Sequence, residues 1–207
     1  MKTNLNPRKK PVQQRACMTV NAILDATAHI LIRQGYAKLT TNAVAELAGV
    51  SIGSLYQYFP NKKALLVALY QRHCKKMKVL LSQEMKKPLD IFDRHSIGAL
   101  IQSVIKAHLI ETQLHQRFES LQDEINLTDG LQEQGFDALA EQLTYLISKH
   151  QKTLRVQNVH TTVWLLMNTV HTLVHLVVKQ NRAPAEMEMM TAEITRMIYG
   201  YIRMTDL

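Results

Sequence analysis

Apolar residues recur at intervals of three and four along most of this chain, a spacing that commits it to helices. Val20, Ile23, Leu24, Thr27, Ile30, Leu31 and Gln34 make one such stripe. Val159, Val163, Leu166, Val170, Leu173 and Val177 make another, and Met187, Met190, Ile194, Met197, Ile198 and Tyr201 a third. Gly and Pro together number 12 of 207 residues, too few for the turns of a β-sandwich or barrel. At 46% apolar and 20% charged the chain can bury a core, and its length suits one or two small domains. The expected class is all-α.

Local stop and start signals divide the stripes. Gly35 ends the first helix as a C-terminal cap. Thr40 can cap a short second helix whose inner side is Val44, Ala45 and Ala48, and Gly49 ends it. Ser51 can cap a third, with Leu55 and Phe59 inward, which Pro60 stops. Asn61 caps a long fourth helix through Leu65, Leu66, Leu69 and Met77 to about Lys87, before Pro88. Further helices are expected at about 96–112, 114–125 and 131–151, with a turn over 126–130, and then at 158–180 and 185–204, about nine in all. The last two carry more apolar width than one face needs: Trp164, Leu165, Met167, Val174, Leu176 and Val178 lie beside the main stripe. Surplus of that kind favours completion by a second chain. The expected seam is Val163, Leu166, Val170, Leu173 and Val177 with Met190, Ile194, Met197 and Tyr201.

Charge separates the two ends. Residues 1–80 hold thirteen Lys and Arg against two acids, Asp25 and Glu46, and the remainder carries a net −3. The amino-terminal part is suited to a polyanion. Its basic residues fall in a Pro-containing arm and around helix ends rather than along one amphipathic face, which favours nucleic acid over a membrane surface. No run of 18 uncharged apolar residues occurs, and no apolar stretch follows the basic start, so a soluble, cytoplasmic protein is expected. Cys17 and Cys74, 57 positions apart, suggest neither a disulfide framework nor a zinc site.

Residues 40–62, TTNAVAELAGVSIGSLYQYFPNK, read as helix, glycine turn, helix. A helix that enters the major groove needs small or polar residues at its amino-terminal end so that its backbone can approach base edges. Ile52, Gly53, Ser54 and Gln57 meet that need. Thr40, Tyr56, Tyr58 and Lys62 are placed to reach phosphates, which fix register. Lys62 in the first turn of a helix opposes the macrodipole, a conflict that a phosphate would remove. In the arm, Arg8, Lys9, Lys10 and Arg15 could follow phosphates or enter the minor groove.

From Ile23 to Leu66, the string ILDATAHILIRQGYAKLTTNAVAELAGVSIGSLYQYFPNKKALL resembles the DNA-binding domain of the TetR/AcrR transcriptional repressors, with AGVS, LYxYF and NK in order at the family's spacing. The resemblance implies DNA contacts from Thr40, Ile52, Gly53, Ser54, Tyr56, Gln57, Tyr58 and Lys62, to which we add the cap Ser51. It also implies a divergent helical carboxy-terminal domain that binds an effector and dimerises through its last two helices. Ile52 stands where many members have a basic or polar residue, which points to a thymine methyl rather than a base-edge hydrogen bond. Thr27 replaces the usual Ala and needs a backbone acceptor one turn back. The expected division is a basic arm (1–18), a helix-turn-helix domain (19–62), a connecting helix (63–87) and an effector and dimerisation domain (88–207). The expected partners are a palindromic double-stranded operator, a small-molecule effector of unidentified class and a second copy of the chain, with no membrane.

His108, Glu111 and His115 have a spacing that can place three ligands on one helix face, and His171 and His175 form an i, i+4 pair. His171 and His175 lie in the most apolar stretch of the chain, where a neutral histidine hydrogen-bonded across a dimer seam is the expectation, and no metal or other cofactor is assigned at either place. Cys17 beside basic residues could act as a redox switch. A metal- or redox-responsive regulator of the same fold is one alternative. A small helical enzyme is the other, but no GxGxxG, GxSxG or Walker sequence supports it. The cluster Glu119, Asp123 and Glu124 reads as a solvated face.

Overall fold

The computed structural model describes residues 14–84, 89–125, 137–154, 156–180 and 182–203. Among the described residues the secondary structure is helical throughout: α1 Gln14–Gln34, a 3-10 turn Tyr36–Lys38, α2 Thr41–Leu47, α3 Ile52–Tyr58, α4 Lys62–Glu84, α5 Arg94–Leu109, α6 Thr112–Ile125, α7 Asp137–Lys149, α8 Val159–Lys179 and α9 Pro184–Ile202. The all-α class and the nine α-helices match the sequence reading. The expected turn at 126–130, most of the basic arm and Pro88 lie outside the described residues.

The chain forms two compact units. One takes Met1–Cys74 with Gln113–Leu131, the other Lys75–Thr112 with Gln132–Leu207. The division passes through α4 and assigns α6 to the amino-terminal unit, unlike the linear boundary drawn at residue 88. The reason is side-chain burial: Leu114, Phe118 and Leu121 of α6 join the same core as Ile23, Leu31, Leu55, Phe59 and Leu65. Tyr70 of α4 meets Phe118 edge to face, with ring centroids 5.1 Å apart.

Local chemistry fixes this first unit. Thr27 lies fully buried, and its hydroxyl donates to the Ile23 carbonyl at 2.7 Å, the acceptor one turn back that the sequence required. The Gly35 N–H closes α1 on the carbonyls of Ile30 and Leu31, at φ +80°. Gly49 has φ +66° between α2 and α3. Both conformations favour glycine, which has no Cβ to strain. Asp25, one of only two acids before residue 81, pairs with Arg72 of α4 at 2.7 Å. α1 starts at Gln14 rather than near Val20. Its first turns are good helix formers that lack an apolar stripe, so periodicity alone did not reveal them.

In the second unit α5 packs on α8 and α9, and α7 on α8. The core includes Ile97, Ile101, Val104, Ile147, Val174, Val177, Ile194 and Ile198. A Cβ built on Gly98 would lie 3.4 Å from Thr195 Cγ2, an ordinary van der Waals distance, so α5 and α9 pass closely there with room for one methyl.

Candidate nucleic-acid interface

The short helices α2 and α3 are each closed at their start by a side chain. Thr40 Oγ1 accepts from the Ala43 N–H at 3.1 Å, and Ser51 Oγ accepts from the Ser54 N–H at 3.1 Å. The hydroxyls of Ser51 and Ser54 are 2.8 Å apart. Each cap satisfies one of the orphan donors at a helix amino terminus, with a typical worth of about 1 kcal/mol. Asn61 caps α4 in the same way, its Oδ1 accepting from the Ala64 N–H at 2.9 Å.

Buried Leu55 and Phe59 anchor α3 from beneath, and Phe59 is extended before Pro60, as the residue ahead of a proline prefers. With that side fixed, the opposite side is turned outward. Ser51, Ile52, Gly53, Tyr56 and Gln57 are exposed, Ser54 and Tyr58 are half-buried, and Thr40 is exposed at the start of α2. Tyr56 is 41% exposed and its hydroxyl is held 3.1 Å from Thr41 Oγ1, so its position is set within the protein. A Cβ on Gly53 would find only Ser51 Oγ, 3.9 Å away. Among the described residues, nothing demands a glycine there.

Lys62 also has partners within the chain. Its Nζ donates to the Tyr36 carbonyl at 2.8 Å and sits 3.5 Å from the centroid of the Tyr36 ring. Burial lowers its pKa. The unfavourable cation at the start of α4 is thus compensated inside the protein by a carbonyl and a ring face, without a phosphate. Lys62 ties the 3-10 turn to α4.

The histidine spacing also needs correction. His108, Glu111 and His115 do not share one helix face, because the chain breaks between α5 and α6 and Glu111 takes φ +52°. The Glu111 carboxylate accepts from Lys76 at 2.7 Å. His115 instead meets His73 of α4, Nδ1 to Nε2 at 3.0 Å. His73, buried and absent from the sequence reading, carried no local signal: its partner lies 42 residues away. Cys17 is half-buried in α1. Cys74 is also half-buried, and burial pushes its thiol pKa up.

The expected seam of α8 and α9 divides. Val163, Leu166, Val177 and Ile194 are buried in the chain's own core, a correction to their placement in an interface between chains. Val170, Leu173 and Met190 are half-buried against the same core. A four-and-three stripe marks the most apolar face of a helix, and the monomer's core takes that face first. Met197 and Tyr201 remain 45% and 42% exposed. Outside the stripe, Trp164 at 64%, Leu165 and Leu176 are exposed on α8, and Met189 on α9. By length and composition α8 could also cross a membrane, but a third of its most apolar window is already buried inside the protein.

Residues 23–69 match the family described as bacterial regulatory proteins, tetR family, and residues 94–202, more than half of the chain, match the tetracyclin repressor-like carboxy-terminal domain. The transcriptional repressor KstR of Mycolicibacterium smegmatis is 50% identical over 50 residues, 24% of each chain. The first curated relatives are matched over only a quarter to a third of their length. The fatty acid metabolism regulator protein of Bacillus subtilis is 22% identical over 172 residues, covering 74% of this chain and 87% of its own. Among solved structures, the fatty acid degradation regulator FadR of Bacillus halodurans superposes with a TM-score of 0.67 at 18% identity, over 94% of this chain and 98% of its own. Together with a capped helix-turn-helix whose second helix presents an exposed polar end, these matches place the chain in the TetR family of bacterial regulatory proteins.

Proposed function

We propose that the chain is a repressor that binds a palindromic operator as a homodimer and releases it when a small molecule occupies the carboxy-terminal domain. The observation that carries this reading is the amino-terminal end of α3: a capped, exposed stretch with an unneeded glycine, anchored on buried Leu55 and Phe59. Ser51, Gly53, Ser54 and Gln57 approach base edges, and the exposed Ile52 meets a thymine methyl. Thr40, Tyr56 and Tyr58 reach the flanking phosphates, while Lys62 holds the 3-10 turn in place and offers its remaining N–H donors to the same backbone.

A second copy covers the exposed apolar side chains of the last two helices, Trp164, Leu165 and Leu176 of α8 with Met189, Met197 and Tyr201 of α9. Two α3 helices related by a two-fold axis then read half-sites about one helical turn, or a multiple of it, apart. An effector shifts the equilibrium between the DNA-binding and free states only by its difference in affinity for the two. The relatives named for fatty acid regulation align along most of the chain and make a fatty acyl compound the first effector to assay.

The test is a fluorescence anisotropy titration of the full chain against DNA flanking its own gene, with random DNA as control, across salt concentrations. Preferential binding with a steep salt dependence is expected, about 0.9 in logarithmic slope per phosphate contact. Acyl compounds that bind, reported by Trp164 fluorescence, should lower operator affinity. A saturating ligand that leaves it unchanged contradicts the effector half of the reading.

A further inference from the structure

Within the second unit, α5 and α8 each bring histidine to their contact. His108, in the last turn of α5, is 1% exposed. Its Nδ1 lies 2.8 Å from the Val104 carbonyl oxygen. A carbonyl only accepts, so Nδ1 carries the hydrogen and the Nε2 of a neutral ring holds a lone pair. That lone pair is met by Nε2 of His175 on α8, 3.1 Å away. His171, one turn earlier on α8, lies against His175 with ring centroids 4.0 Å apart and is 5.9 Å from the His108 ring. Spacing alone paired only His171 with His175, and the fold adds His108 from 67 residues away.

We propose that His108 and His175, flanked by His171, form a bis-histidine site for a borderline divalent transition-metal ion such as zinc. The separation fits. With metal–nitrogen bonds of about 2.0–2.1 Å, two ligand nitrogens stand about 2.9 Å apart at a right angle and about 3.3 Å apart at the tetrahedral angle. The observed 3.1 Å lies between these values, with the ion seated off the line that joins the two atoms. The carbonyl behind His108 is the outer partner that metal-bound imidazoles characteristically have, and it sets tautomer and ring orientation before an ion arrives. Imidazole donors suit zinc, nickel and copper rather than magnesium or calcium. On binding, the hydrogen between the rings moves from Nε2 of His175 to its own Nδ1, so both rings stay neutral with an Nε2 lone pair for the ion, which ties α5 to α8. Two protein nitrogens leave further coordination positions to water.

The test titrates the full-length protein with zinc chloride in competition with a chromophoric chelator. One ion per chain is expected. His175→Gln, at a half-buried position, should weaken binding by about tenfold or more with helix content unchanged by circular dichroism. His160→Gln, exposed in the first turn of α8, should leave it unaltered. Cobalt(II) gives a readout that needs no variant: the wild-type protein should develop visible d–d bands of nitrogen coordination that zinc abolishes. No zinc binding, equal affinity in His175→Gln, or a cobalt spectrum that remains that of the hydrated ion would each overturn the proposal.

Discussion

The two compact units are held in order by different means. α2 and α3, seven residues each, are too short to persist as free helices, and they depend on caps, glycine turns and two buried anchors. α8 and α9, of 21 and 19 residues, draw their order from apolar burial, and they carry more apolar surface than one chain's core accepts. In the first unit, local hydrogen bonds decide which side chains face outward, so an exposed polar end points to a partner. In the second, apolar exposure itself carries that information, and the residues that make the most regular stripe are those least available to a second chain.

The sharpest way to break this contrast is to remove an anchor. Phe59→Ala should cost about 3–5 kcal/mol, the usual range for a fully buried aromatic, measured by urea unfolding of the full chain. A cost under about 1 kcal/mol would mean that the caps suffice without it. Next in size, Trp164→Asp combined with Leu176→Asp should turn a dimer into a folded monomer in sedimentation, losing about 2–4 kcal/mol of association free energy. Leu166→Ala should act through stability instead, by about 2–5 kcal/mol. If the aspartates unfold the chain while Leu166→Ala dissociates it, the two faces have been exchanged.

Gly53→Ala probes the first unit with opposed signs. Alanine within a helix should raise stability by about 0.5–1 kcal/mol while the added methyl lowers operator affinity by about tenfold, or about 1.4 kcal/mol. Unchanged DNA binding would remove the close approach assigned to α3. The smallest effect is expected at Thr27→Val, within about 1 kcal/mol, because hydroxyl and methyl have nearly the same shape and the Ile23 carbonyl retains its helix bond. A larger loss in thermal unfolding would show that the buried hydroxyl has a second task.

The helix-turn-helix was legible because its determinants are local. Thr40, Gly49, Ser51, Pro60 and Asn61 act within a few residues of where they stand, and Thr27 announced its own acceptor. What escaped the sequence depends on distance or on unmarked backbone. The break between α5 and α6 carries no Gly or Pro, and Glu111 takes a left-handed conformation without being glycine. The His73–His115 and His108–His175 pairs join residues 42 and 67 apart. Lys62 was read as a cation that needed a phosphate because nothing local revealed Tyr36 beneath it. Val163, Leu166, Val177 and Ile194 were read as a seam because periodicity identifies an apolar face but not the chain that covers it.

The central claim, that two exposed α3 ends act together across a two-fold axis, is tested most directly by hydroxyl-radical footprinting of the full chain on the DNA flanking its gene. The account predicts two equivalent protected half-sites, centred about one helical turn or a multiple of it apart and lost together in Trp164→Asp with Leu176→Asp. A single asymmetric footprint, or protection that survives in that variant, would contradict it.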